Sequence, residues 1–118
     1  MKENIIKEKS FNFAKRIVRL YKFLVFDKQE YILAKQLLRS GTSIGANIEE
    51  ALGAQSKNDF ISKISISYKE ARESHYWIRL LYETDYLTER QCQSLLKDIE
   101  EILKLITSIQ KSSKKISN

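Results

Sequence analysis

A chain of 118 residues is long enough to bury one hydrophobic core and too short for two. Hydrophobic residues at 42% and charged residues at 31% exclude a disordered chain and a bilayer-embedded one alike, and no run of about 18 apolar residues occurs. The formal charge of +6 is uneven: residues 1–28 hold eight Lys/Arg against three Asp/Glu and residues 104–118 four against none, which leaves the middle net negative.

Proline is absent and glycine occurs three times, which removes the usual turn formers and predicts long helices. The first helix is predicted over about residues 4–26, with Ile6, Phe13, Ile17, Leu20 and Leu24 on one face and a second stripe of Ala14, Val18, Tyr21 and Val25 beside it. Asp27-Lys28 ends it. The second, over about 29–53, carries Leu33, Leu37, Ile44, Ile48 and Ala51 inward, with Gly53 placed as a C-terminal cap. Its interior Gly41 and Gly45 each cost about 1 kcal/mol relative to Ala. They lie four apart on one side, so close approach of a partner helix is the favoured compensation and a kink the alternative.

Ser56, with Asp59 three residues on, is the predicted cap of a third helix over about 57–84. Phe60, Ile64, Tyr68, Ala71, His75, Ile78 and Tyr82 form its expected core face, while Ile66, Glu70, Glu73, Trp77, Leu80 and Leu81 form a second, separate one. No helix of a four-helix bundle is central, so a helix apolar on two sides implies another subunit. The capping-box pattern Thr88-Glu89-Arg90-Gln91 opens a fourth helix over about 88–110. Its seam of Cys92, Leu95, Ile99, Ile102, Ile106 and Ile109 steps by three and four, flanked by Leu96 and Leu103. Residues 111–118 lose the pattern and are expected to be a frayed basic tail. Short connections make the predicted fold an all-α, antiparallel up-down-up-down, left-handed four-helix bundle over residues 1–110.

The chemistry open to such a bundle is narrow. A dimetal site needs two Glu-x-x-His pairs, whereas the chain has one histidine, and Arg72 stands three before it. Glu49, Glu50, Glu70 and Glu73 are instead expected to be held by cations, with Lys63 and Arg39 as candidates. His75 reads as a hydrogen-bonded core residue and Cys92 as a buried, inert thiol. No phosphate loop, nucleophile elbow or zinc spacing occurs, so no catalytic residue, metal or cofactor is expected. A lone cysteine and an N-terminus without a signal-peptide core point to the cytoplasm.

Two basic ribbons are candidates for phosphate contact: Lys15, Arg16, Arg19 and Lys22 on the first helix, and Lys69, Arg72 and Arg79, with Tyr76 for stacking, on the third. The competing reading is a solvated surface. Nucleic acid ranks ahead of membrane because no amphipathic stretch offers a Trp/Phe-rich insertion face.

The run from Arg39 to Ala51, with Ser43-Ile44-Gly45-Ala46-Asn47-Ile48-Glu49-Glu50 at its centre, is followed by Ser56 to Lys63 and by Lys69-Glu70-Ala71-Arg72-Glu73 with Tyr76-Trp77. These segments closely resemble the bacterial four-helix-bundle family named after proteins encoded in intervening sequences of 23S ribosomal RNA, and the resemblance spans essentially the whole chain. Many members have Pro where this chain has Gly45, and Gly where it has Ala51, departures that bear on the shape of the mid-helix bend. The resemblance implies a compact bundle assembling as a ring, with pentamers expected. The family is similar to the accessory proteins of diversity-generating retroelements, whose basic pentamers bind nucleic acid and a reverse transcriptase. Asn47, Glu49, Glu50, Glu70 and Glu73 match motif positions and, with Gly41, Gly45, Trp77 and Leu81, are expected to be structural or interfacial. The resulting expectation is a non-catalytic homo-oligomer that binds RNA or DNA with low sequence specificity, or else a scaffold for a protein encoded nearby.

Overall fold

The computed structural model describes the backbone of residues 1–117 and the side chains of residues 1–114. Four helices, α1 (Lys2–Phe26), α2 (Ile32–Leu52), α3 (Lys57–Glu83) and α4 (Glu89–Ser117), make up an all-α antiparallel bundle, with no strand among the described residues. α1 packs on α2 and α4, and α3 on α2 and α4, so α1 and α3 lie across the bundle diagonal from each other. Successive helices are neighbours, as short connections dictate.

The ends follow from local chemistry. Ser56 Oγ accepts the Asp59 N–H at 3.0 Å at the start of α3. Before α4 the reciprocal box is complete: Thr88 Oγ1 accepts from Gln91 N–H at 3.1 Å while Gln91 Oε1 accepts from Thr88 N–H at 2.9 Å. α3 ends in a Schellman-type turn, with Tyr86 N–H on the Leu81 carbonyl at 2.9 Å, Asp85 N–H on the Tyr82 carbonyl at 3.1 Å, and Asp85 itself at φ 70°. Asp tolerates the left-handed region better than most residues, which is how the chain makes this corner without glycine. The α1–α2 corner uses Gln29 at φ 54° in the same way. α2 therefore starts at Ile32 and not near residue 29; the Glu30 carboxylate accepts the Ala34 N–H at 2.8 Å over its first turn. Gly53 ends α2 at φ −98°, a conformation open to any residue. α4 continues through Ser117 and takes in most of the segment expected to fray, while Asn118 lies outside the described residues.

The core is a set of seams. α1 buries Ile6, Ser10, Phe13, Ile17 and Leu24; α4 buries Cys92, Leu95, Ile99, Ile102, Ile106 and Ile109 at alternating steps of three and four. Such steps keep one stripe of a helix on its neighbours along its whole length. In α3 the buried seam is Ile64, Ser67, Ala71, Ser74, Ile78 and Leu81: it keeps Ile64, Ala71 and Ile78 of the predicted face and takes Ser67, Ser74 and Leu81 in place of Tyr68, His75 and Tyr82. Phe60, Tyr68 and Tyr82 pack half-buried at its edge, and His75 is partly exposed. Two serines misplace the stripe in an apolar count, because their hydroxyls are satisfied inside. Ser67 Oγ donates to the Ile44 carbonyl at 2.9 Å, and Ser74 Oγ lies 2.8 Å from Ser40 Oγ and 2.9 Å from the Glu70 carbonyl. Among the described residues no buried side-chain nitrogen or oxygen lacks a partner, which is the condition for burying hydroxyls at little cost.

α2 runs unbroken through its glycines, both at negative φ. A Cβ on Gly41 would stand 2.8 Å from Ile17 Cγ1, and one on Gly45 would stand 3.3 Å from the Ser10 carbonyl oxygen. The close partner that the glycines admit is thus α1 of the same chain. No second subunit is needed to explain them.

Candidate nucleic-acid interface

The motif acids are engaged between helices. Arg39 on α2 spans both Glu70 (3.0 Å) and Glu73 on α3, and Trp77 Nε1 donates to the same Glu73 carboxylate at 2.9 Å. The Trp77 ring meets Tyr76 edge-on with centroids 5.0 Å apart. Lys63 pairs with Glu50 at 3.2 Å and Lys7 with Glu49 at 3.9 Å, while Asn47 Nδ2 donates to the Ser43 carbonyl at 2.8 Å. The ion pairs tie α2 to α1 and α3, whereas the Asn47 bond lies within α2. Leu81, placed by sequence on the outward face with Trp77, is fully buried in the core of its own bundle. The second apolar face of α3 is narrower for it, reduced to Ile66 and the half-buried Trp77 and Leu80.

Arg39→Ala leaves two carboxylates one turn apart with no counterion. The expected loss is about 1–2 kcal/mol, between the values for exposed and buried pairs, since the Glu70 side chain is 18% exposed and that of Arg39 49%. Chemical denaturation measures it, and Arg39→Lys recovers only part, because an ammonium lacks the planar fork that reaches both acids.

The basic ribbons fare unequally. Arg16 is a staple to α4: it donates to Asp98 Oδ2 at 2.6 Å and to Ser94 Oγ at 3.0 Å, so it is not the free phosphate contact expected from its spacing. Lys15 lies 5.4 Å over the Phe11 ring. Arg79 donates from Nε to His75 Nδ1 at 3.1 Å and stacks near Tyr76, while His75 Nε2 meets Glu100 at 3.2 Å. His75 is therefore a bridge at the α3–α4 edge and not a core residue. Arg19, Lys22, Lys69 and Arg72 are exposed and pair with no described carboxylate. Because α1 and α3 are diagonal, the two ribbons lie on opposite sides and do not form one surface.

Sequence reasoning missed the companions of Arg72. A groove of about 470 Å³ between α3 and α4 is lined by Tyr68, Arg72, Leu103, Lys104, Thr107, Ser108 and Lys111. The available signal was the acid-free basic C-terminal stretch, with Lys104 and Lys111 seven apart on one face. No three His, Cys, Asp or Glu side chains among the described residues gather where they could hold a metal ion. Also among them, no helix is long and apolar enough to cross a membrane.

Cys92 faces the core at 3% exposure, and burial, then the Glu83 carboxylate, push its thiol above the ordinary value. The neutral thiol is the form the fold favours. Its contribution to stability is whole below the unfolded thiol pKa and is lost as pH rises through the folded one. The native chain is accordingly expected to react with an aromatic disulfide reagent at pH 8 at least about tenfold more slowly than the denatured chain, with denaturant midpoints falling at alkaline pH less steeply in Cys92→Ala.

The fold and its interhelical pairs define a small four-helix-bundle protein in which the motif acids Glu49, Glu50, Glu70 and Glu73 are paired across helices while Arg19, Lys22, Lys69 and Arg72 are left outward. The chain belongs to the 23S rRNA-intervening sequence protein family, whose model matches residues 2–108. Its fold is shared with the crystal structure of a protein of unknown function from the S23 ribosomal protein family of Bacteroides thetaiotaomicron VPI-5482, with a TM-score of 0.93 and 56% identity over 94% of this chain and 99% of that one. No curated protein is detectably similar.

Proposed function

We propose that this chain is a non-catalytic, cytoplasmic homo-oligomer, a pentameric ring, that binds RNA or DNA through phosphate contacts with low sequence specificity. The observation that carries this reading is the division of charge. Glu49, Glu50, Glu70, Glu73, Asp98 and Glu101 are all occupied by interhelical pairs, while Arg19, Lys22, Lys69 and Arg72 remain outward and unpaired among the described residues. Unpaired outward cations at net charge +6 are the footprint of a phosphate-binding surface. Self-association is supported by a valley of about 400 Å³ between α1 and α2, lined in part by Phe11, Ala14, Gly45 and Ala46, with Phe11 61% and Val18 38% exposed.

The family's name makes 23S rRNA fragments the first probe. A salt titration of binding to rRNA fragments and duplex DNA tests the reading. Affinity is expected to fall linearly on a log–log plot, and absence of binding at the lowest salt, where phosphate contacts are strongest, overturns it. The second reading, a scaffold for a protein partner such as a reverse transcriptase, is favoured by Phe26, Tyr31 and Ile32, which are 76%, 57% and 74% exposed at one bundle end. A protein retained on the chain after nuclease treatment supports that reading instead.

A further inference from the structure

We propose that the α3–α4 groove is the seat of a single nucleic-acid strand, with its phosphates against Arg72, Lys104 and Lys111. This rests on the reading that the chain binds nucleic acid, and adds to it where the strand lies and what form it takes. The lining contains three cations and no carboxylate. Neither Arg72 nor Lys111 is ion-paired with a described residue. Lys104 acts on Glu101 from a distance. That carboxyl is held below its usual range first by a hydrogen bond and charge from Lys9, then by Lys97 and Lys104, and Lys9 occupies it at 3.1 Å. All three cations therefore remain available to an incoming anion.

The neutral lining is equally suited. The Tyr68 and Ser108 hydroxyls make no hydrogen bond to a described residue, so both can donate to phosphate oxygens. Thr107 Oγ1 spends its proton on the Leu103 carbonyl at 2.9 Å and is left as an acceptor for a sugar hydroxyl. Leu103 and the Tyr68 ring give an apolar floor on which a base or sugar can rest.

Shape selects the strand form. The groove is the valley between two packed helices, whose axes are about 8–10 Å apart, and its volume of about 470 Å³ takes a nucleotide or two. Lys104 and Lys111, seven residues apart, are separated by about 10 Å along α4, a span that one backbone crosses within a short run of nucleotides. A duplex is about as wide as the whole bundle, whose Cα envelope is 49 × 22 × 19 Å, so it meets only the rim. The α1 ribbon differs, since Arg16 is spent on Asp98 and Lys15 lies over Phe11, leaving two cations.

The test measures affinity of the full chain for single-stranded RNA and DNA oligonucleotides of one sequence, and for the matching duplex, across a salt series. The groove variant Lys104→Gln/Lys111→Gln is compared with the charge-matched control Lys35→Gln/Arg90→Gln, two exposed cations outside both ribbons and the groove. All four side chains are exposed, and thermal melts check that both variants fold. The groove variant is expected to bind single strands about tenfold more weakly, with a salt slope shallower by about 0.7 for each cation removed, while the control changes little. Equal losses in both variants, or duplex bound more tightly than either single strand, overturn the groove assignment and leave nucleic-acid binding standing. Wild-type chain that binds none of the probes at low salt overturns both.

Discussion

Leu81→Ala is expected to lose about 2–5 kcal/mol of unfolding free energy, the range for truncating a fully buried leucine. Leu81 is 0% exposed within one bundle, on the α3 seam with Ser74 and Ile78. The loss therefore appears as a lower denaturant midpoint at every protein concentration. Were Leu81 an interface residue, as its position beside Trp77 suggests in sequence, the variant would dissociate on dilution and hold its midpoint once associated. Denaturation at two concentrations well apart separates the outcomes. Trp77→Ala is the informative partner, since that side chain is only half-buried and its indole N–H is bound to Glu73.

Gly41→Leu is expected to cost about 3 kcal/mol or more, at or beyond the upper end of overpacking losses. Even a bare Cβ there would stand 2.8 Å and 2.9 Å from the two γ carbons of Ile17, which is 0% exposed and, being β-branched, stiff at χ1. Gly41→Ala costs less, because the gain of about 1 kcal/mol in helix propensity offsets part of the clash. Combined with Ile17→Ala, which removes both γ carbons, it is expected to lose less than the sum of the single variants by about 1 kcal/mol. Gly45→Ala is the contrast. Its Cβ meets the Ser10 carbonyl oxygen at 3.3 Å, a contact eased by a shift of a few tenths of an ångström, and the net change is expected to be near zero.

These two sites also mark what the sequence makes legible. The spacing of Gly41 and Gly45 announced a close helix approach without saying which helix makes it, since spacing describes one surface and not its neighbour. The α4 seam and the Ser56 and Thr88 caps could be read because each is a local pattern with a local cause. The α3 core face could be read only in part, at Ile64, Ala71 and Ile78, because Ser67 and Ser74 count as polar in sequence while their hydroxyls are satisfied by Ile44 and Glu70 carbonyls in the fold. Of the candidate interface, the α3 cations were visible as a ribbon. The union of Arg72 with Lys104 and Lys111 was not, since it depends on the register between α3 and α4. The pairing of Arg16 was hidden for the same reason: its partner Asp98 is on another helix.

Static light scattering of the full chain at micromolar concentration and low salt, with and without a single-stranded RNA oligonucleotide, reads self-association and binding together. A nucleic-acid-binding ring gives a mass several times the 13.9 kDa of one chain, five copies for the proposed pentamer, and a further increase equal to bound RNA. A 13.9 kDa species whose mass the RNA leaves unchanged contradicts both the ring and the binding.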